Sequence, residues 1–201
     1  MKRTLTIIIS IILGIYILIC TVLYFLQEKL LFFPDVLTKD YVYEFVHPFE
    51  EINYPIGKGK SLNALLFKSK EKKGILFYLH GNGGAIDSWG TGAGLYIDNG
   101  YDILYLDYRG YGKSDGKIHS EAQLIADAQL VYDDLKKRYS ESDIILIGTS
   151  IGTGMATQIA AKNNPKKLIL NSPYASLRQL IQEKYPIVPG FLIKYKLETK
   201  K

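Results

Sequence analysis

The chain has 201 residues, 47% of them hydrophobic and 22% charged, with a formal net charge of +5. That length carries one domain with a real core and excludes two, and a single cysteine, Cys20, excludes an internal disulfide framework. The lysines are scattered among glutamates and aspartates, which reads as a solvated surface suited to anionic lipid headgroups and excludes a nucleic-acid partner.

Met1-Lys2-Arg3 precede Leu5–Leu26, which holds no charge. As a helix rising about 1.5 Å per residue this run is about 33 Å long, enough to cross a hydrocarbon core of about 30 Å. A cleaved signal peptide is the rival reading. Its apolar region is usually about 7–15 residues long and ends in small residues, which Ile17-Leu18-Ile19-Cys20 does not offer. Residues 1–4 are therefore expected to be a cytoplasmic terminus, 5–26 an uncleaved single-pass anchor and 27–201 the folded domain. Lys2 and Arg3 lie before the span and the nearly neutral Gln27-Glu28-Lys29 after it. The positive-inside bias then puts the domain on the extracytoplasmic side. Tyr24, Phe32 and Phe33 suit an interfacial aromatic belt, and Pro34 ends the helical stretch.

From Tyr41 the pattern turns to strands. Tyr41–Val46 and Leu62–Phe67 are short β-prone runs, with a turn at Gly57-Lys58-Gly59-Lys60 between them. Gly74–Leu79 is a continuous apolar run of the kind buried on both faces of a parallel sheet. It leads into His80-Gly81-Asn82-Gly83-Gly84, whose glycines let backbone N–H groups turn toward an oxygen carrying negative charge. His80 is expected to brace this loop by hydrogen bonds and not to carry protons.

Ala85–Asp98 reads as a helix loosened by Gly90, Gly92 and Gly94. Tyr101–Leu106 is a further strand, ending in Asp107-Tyr108-Arg109-Gly110-Tyr111-Gly112-Lys113-Ser114. Structural roles are expected there for Asp107 and for Arg109, whose five donors suit tying loops together. Ser120-Glu121-Ala122-Gln123 has capping-box spacing. It opens a helix to Arg138 with Leu124, Ala128, Val131 and Leu135 on one face.

Ile144–Ile147 is a short buried strand, followed at once by Gly148-Thr149-Ser150-Ile151-Gly152 and a small-residue helix from Ile151 to Lys162. Strand, Gly-x-Ser-x-Gly turn and helix in that order make a nucleophile elbow, which holds a serine hydroxyl up at the carboxyl end of a sheet. Gly148 and Gly152 are required where the backbones come too close for a Cβ. The helix start aims its free N–H groups and positive dipole end at whatever Ser150 holds. The Ile151 N–H and the 80–84 loop together make an oxyanion hole, in which one donor is worth roughly 3–4 kcal/mol. Lys167–Leu170 is another strand and Ala175–Lys184 another helix; Tyr185–Ile193 has no regular period and leads to Lys194, Lys196, Lys200 and Lys201. There is no internal repeat and no metal-ligand or dinucleotide motif, so no cofactor and no metal is expected.

Strands alternating with helices argue for a mainly parallel sheet covered on both faces. With His80-Gly81-Asn82-Gly83-Gly84, Tyr108-Arg109-Gly110-Tyr111-Gly112-Lys113-Ser114 and Gly148-Thr149-Ser150-Ile151-Gly152, the chain resembles the α/β-hydrolase superfamily. Within it, the branch of small hydrolases with one amino-terminal membrane anchor is the nearest likeness, and it covers Gln27 to the end. The resemblance implies a membrane serine hydrolase acting on an acyl ester or thioester small molecule, with the lipid bilayer as its other partner. It assigns Ser150 as nucleophile and Asn82 and Ile151 as backbone oxyanion donors. His80, Gly81, Gly83, Gly148 and Gly152 shape the loop and the elbow.

The chain also departs from that family. The resemblance implies two further strands, an Asp or Glu after the first and a His after the second. After Ser150 this sequence holds no histidine and no aspartate, only Glu183 and Glu198, while His47, His80 and His119 lie upstream. Without a base the serine keeps its proton. Loss of the base in such a triad costs about 10⁶ in rate, or about 8 kcal/mol. The expectation is a hydrolase domain lacking its last two strands, truncated and nearly inert as written. The alternatives are a catalytically dead binding module that keeps the pocket, and a purely structural membrane protein.

Overall fold

Uncharged residues on every side leave the amino-terminal run nothing to present to water, and it forms one helix, α1 (Lys2–Leu31), with no buried residue. The computed structural model describes residues 2–199. At about 1.5 Å per residue α1 is about 45 Å long, extending past the expected 5–26 span to the edge of the folded domain. Phe32 is not an interfacial residue. It is buried in the core with its ring edge-on to Tyr195, centroids 5.3 Å apart. Full burial of such a side chain contributes about 1.5–3 kcal/mol and outweighs a headgroup position.

Six strands form one sheet: β1 (Phe49–Pro55), β2 (Ser61–Phe67), β3 (Ile75–Leu79), β4 (Asp102–Leu106), β5 (Ile144–Thr149) and β6 (Lys167–Asn171). Their order is β1-β2-β4-β3-β5-β6, with the β1–β2 and β2–β4 pairs antiparallel and the rest parallel. The β1–β2 hairpin turns at Gly57-Lys58-Gly59, all with positive φ. The strand expected at Tyr41–Val46 does not form; that segment pairs with no strand of the sheet. The register Phe49↔Phe67 to Pro55↔Ser61 fills the edge of β2. Tyr41–Val46 instead crosses the sheet face, held by Tyr43 and Phe45 against Phe49 and Phe67.

Alternation along β3 builds two cores. Ile75, Phe77 and Leu79 pack with α4 (Glu121–Arg138) and α5 (Ile151–Ala160) on one face. Leu76 and Tyr78 pack with α2 (Ile86–Trp89) and α3 (Ala93–Ile97) on the other. The helix expected over 85–98 is broken into α2, a 3₁₀ turn at Gly90–Gly92, and α3. Gly90 suits its place because of close approach, since a Cβ there would lie 2.8 Å from Phe45 Cζ.

Helix α4 buries Leu124, Ala128, Val131 and Leu135. Ser120 Oγ caps it from the Gln123 N–H at 3.1 Å, but the Gln123 side chain returns to the His119 N–H at 2.9 Å, one residue short of a capping box. After α6 (Leu177–Lys184) the tail is more ordered than its sequence suggests. Ile193, Tyr195 and Leu197 are all buried. The Leu177 N–H donates to Lys196 O at 2.7 Å, and the Leu197 N–H to the Glu121 carboxylate at 3.1 Å.

Candidate active site

Strand β5 is buried throughout and stops at Thr149. The next residue, Ser150, has φ 51° and ψ −117°, a conformation that costs a non-glycine residue on the order of 1–3 kcal/mol. The surroundings over-determine it. The Ser150 N–H donates to Asn171 O at 2.9 Å, and Thr153 donates its N–H (3.0 Å) and its hydroxyl (2.6 Å) to Ser150 O. A Cβ on Gly148 would meet Gly152 O at 2.6 Å and Thr153 Cα at 2.7 Å. One on Gly152 would lie 2.7 Å from His80 O and closer still to Leu79 O. Both glycines are therefore sites of backbone-on-backbone packing between β3, β5 and α5.

The 80–84 loop lies directly against the elbow. The Cβ position of Gly81 is 3.8 Å from Ser150 Cβ. His80 is fully buried, stacked on Trp89 and packed against Tyr108 with ring centroids 4.1 Å apart. Its Nδ1–H donates to Gly81 O at 2.7 Å. The Tyr108 hydroxyl donates to His80 O and the Tyr111 hydroxyl to Asn82 O, each at 2.7 Å, and the Phe33 N–H also donates to Asn82 O at 2.8 Å. Three successive carbonyls are thus engaged. In a trans peptide the next N–H points opposite to the carbonyl, so the N–H groups of Gly81, Asn82 and Gly83 face away from those partners. The Asn82 N–H has no backbone acceptor among the described residues. Nor has the Ile151 N–H, the first of α5, which by position has no intrahelical one.

The end of α1 is joined to this loop. Phe33–Pro34 pairs in parallel with Gly83–Gly84, and the Asn82 side-chain amide donates to Leu31 O at 3.3 Å. Asp107, fully buried, accepts the Ile86 N–H at 3.0 Å and lies 3.6 Å from His80 Nε2. Burial pushes its carboxyl above the ordinary range, against the opposing pull of His80. Arg109 makes two bonds to Asp127, at 2.6 and 2.8 Å, tying the loop after β4 to α4.

No hydrogen bond to the Ser150 hydroxyl forms among the described residues. The ring nitrogens of His80 face Gly81 O and Asp107, and His119 is exposed. Glu183 accepts from Gln179 on α6, and Glu198 is exposed. No group of His, Cys, Asp and Glu able to hold a metal is found among the described residues. Sequence reasoning missed the two tyrosines that hold the loop carbonyls and the pairing of Phe33–Pro34 with the loop. Two tyrosines three apart just after a buried strand were the available signal for the first; nothing local marks the second.

A family model described as serine aminopeptidase, S33, matches residues 70–196. The lysophosphatidylserine lipase ABHD12 of Xenopus tropicalis is 30% identical over 178 residues, covering 73% of this chain and 44% of that protein. The human protein ABHD12B is 36% identical over 105 residues, covering 47% of this chain and 29% of that protein. Among solved structures, an alpha-beta hydrolase from Vibrio vulnificus superposes with a TM-score of 0.62 at 25% identity, over 75% of this chain and 57% of that one. The α/β-hydrolase GrgF from Penicillium shares the fold, with a TM-score of 0.58 at 22% identity, over 68% of this chain and 52% of that one. The chain spans less than half the length of the curated relatives it matches. A family match over most of the domain, on an elbow and loop of this geometry, shows that the chain belongs to the serine aminopeptidase S33 family of α/β-hydrolases.

Proposed function

We propose that this chain is the membrane-anchored part of a serine hydrolase that transfers an acyl group from an ester or thioester to water. The observation that carries the proposal is Ser150 held at positive φ, against a loop whose His80, Gly81 and Asn82 carbonyls are already hydrogen-bonded. Ser150 Oγ attacks the acyl carbon. The carbonyl oxygen, now an oxyanion, accepts the N–H groups of Ile151 and Asn82, one such donor being worth about 3–4 kcal/mol. The carbon–oxygen or carbon–sulfur bond to the leaving group breaks, and water releases the acyl group in a second turn of the same chemistry.

Each turn requires a base for the nucleophile's proton, and no histidine or carboxylate among the described residues bonds Ser150. Residues 1–201 by themselves are therefore expected to turn over about 10⁶-fold more slowly than a complete triad allows. The same observation favours a second reading, an acyl-binding module that keeps the hole and performs no turnover. The names of the relatives point to a lysophospholipid-type ester as substrate. Residues 1–4 are read as cytoplasmic, 5–26 as the membrane anchor and 27–201 as the extracytoplasmic domain. The long apolar α1 and the charge of Lys2 and Arg3 support that orientation.

The test is labelling of the full chain in detergent by a fluorophosphonate probe, with Ser150→Ala alongside. Slow labelling that the variant loses supports an addressable nucleophile. Equal labelling of the two proteins removes Ser150 from the chemistry. Hydrolysis of lysophosphatidylserine by the same preparation separates the enzyme from the binding module.

A further inference from the structure

The stretch after α6 packs against α1 as well as against the domain. Tyr16, near the middle of the apolar part of α1, donates its hydroxyl to Ile187 O at 2.8 Å. Nearer the domain, Gln27 on α1 clasps the same stretch: its Nε2 donates to Leu192 O at 2.7 Å, and its Oε1 accepts the Lys194 N–H at 2.9 Å. Along α1, Tyr16 and Gln27 are about 16 Å apart. Residues 185–193 therefore run beside α1 from the polar level of Gln27, Glu28 and Lys194 into the depth of its apolar run.

The composition of the stretch fits that depth. Ile187 and Phe191 are 71% and 82% exposed and face no part of the domain. Pro186 and Pro189 carry no N–H to leave unpaired. The N–H groups of Val188, Leu192 and Ile193 close local turns, and the carbonyls of Ile187 and Leu192 are taken by α1, while the N–H groups of Ile187, Gly190 and Phe191 have no acceptor among the described residues. At the level of Gln27, Lys194 pairs with Glu28 at 3.2 Å and sits over the Tyr24 ring at 4.5 Å, a charged and aromatic rim suited to headgroups.

Between α1 and this stretch lies a cavity of about 370 Å³, lined by Leu23, Leu30, Ile181, Val188 and Leu192, with Gln27 at its polar end. That volume is within the range of about 300–1,000 Å³ typical of small-molecule sites. We infer that residues 185–193 enter the leaflet beside α1 and that this cavity holds one acyl chain of a membrane lipid. The occupant follows from the surroundings: the cavity is apolar apart from Gln27 and two tyrosines, and it lies against a helix that itself has the length and apolarity of a membrane span. The inference does not depend on Ser150 or on turnover.

The test uses the full chain reconstituted in vesicles of equal parts phosphatidylcholine and phosphatidylserine. With Cys20→Ala as background, an environment-sensitive fluorophore is placed at Phe191→Cys, and separately at Leu95→Cys, which is 68% exposed on α3. The label at 191 is expected to shift to the blue and to be quenched by nitroxides on the acyl chains, while the label at 95 is quenched only by aqueous iodide. A phosphatidylcholine with a photoreactive acyl chain is expected to cross-link to the 181–193 peptide. Leu30→Trp or Val188→Trp, which fill the cavity, remove that cross-link and leave those along Leu5–Leu18. A 191 label as open to iodide as the 95 label overturns the inference. So do cross-links confined to α1 or unchanged by both tryptophans, and so does capture of a second copy of the chain in place of lipid.

Discussion

A methyl group on Gly152 tests the packing under the elbow. Its Cβ would lie 2.7 Å from His80 O and nearer still to Leu79 O. Both are backbone atoms at the end of β3, and the register Leu79↔Gly148 pins them to β5. No rotamer relieves the contact; α5 has to move off the sheet or β3 has to bend. Overpacking of this kind costs about 1–3 kcal/mol, and a clash with ladder backbone belongs at the upper end. At about 2–4 °C per kcal/mol for a chain of this size, a loss of about 3 kcal/mol lowers Tm by about 6–12 °C. Gly83 is the matched control in the adjoining loop. Its φ is not positive, and the nearest atom to a Cβ there is Phe33 O at 3.8 Å. Gly83→Ala is therefore expected to be neutral, or to stabilise by about 0.4–1 kcal/mol through the unfolded chain. The assay is thermal unfolding of both variants and the wild type in one detergent, followed by near-ultraviolet circular dichroism. Gly152→Ala melting with the wild type, or Gly83→Ala costing as much as Gly152→Ala, would falsify this account of the elbow.

Two further perturbations bear on the supports around it. Asp107 has its folded-state pKa raised by burial, so its contribution to stability is present below the unfolded value of about 3.9 and is lost as pH rises through the raised one. Asp107→Asn keeps an acceptor for the Ile86 N–H; the stability of the wild type relative to this variant, from urea titrations, is expected to decline with rising pH, and a difference that grows with pH refutes the sign. Tyr195→Ala removes a fully buried ring packed on Phe32 and is expected to cost about 3–5 kcal/mol. Tyr195→Phe loses only the bond to Glu28, about 1.5 kcal/mol for a charged acceptor; equal losses in the two variants would show that the ring is not what holds the tail.

The amino-acid sequence by itself determined the features whose causes lie within a few residues. The uncharged run from Leu5 to Leu26 can only be an apolar helix, and Gly74–Leu79 only a strand buried on both faces. Gly148 and Gly152 bracket Ser150 because the turn between strand and helix leaves no room for a Cβ. The apolar face of α4 follows from its period. Other features were decided by partners far away in the chain. Tyr41–Val46 and Phe49–Pro55 are both β-prone, and only the competition for the free edge of β2 selected the second. Phe32 leaves the helix for the core because Tyr195 is there to receive it. The His80 and Asn82 carbonyls are fixed because Tyr108 and Tyr111, in the loop after β4, reach them. The irregular tail is ordered because α1 and Glu121 accept and donate the bonds it cannot make internally. A periodicity or a glycine clash is written in neighbouring residues, whereas a shared ladder, a buried ring or a satisfied carbonyl exists only once distant segments have met.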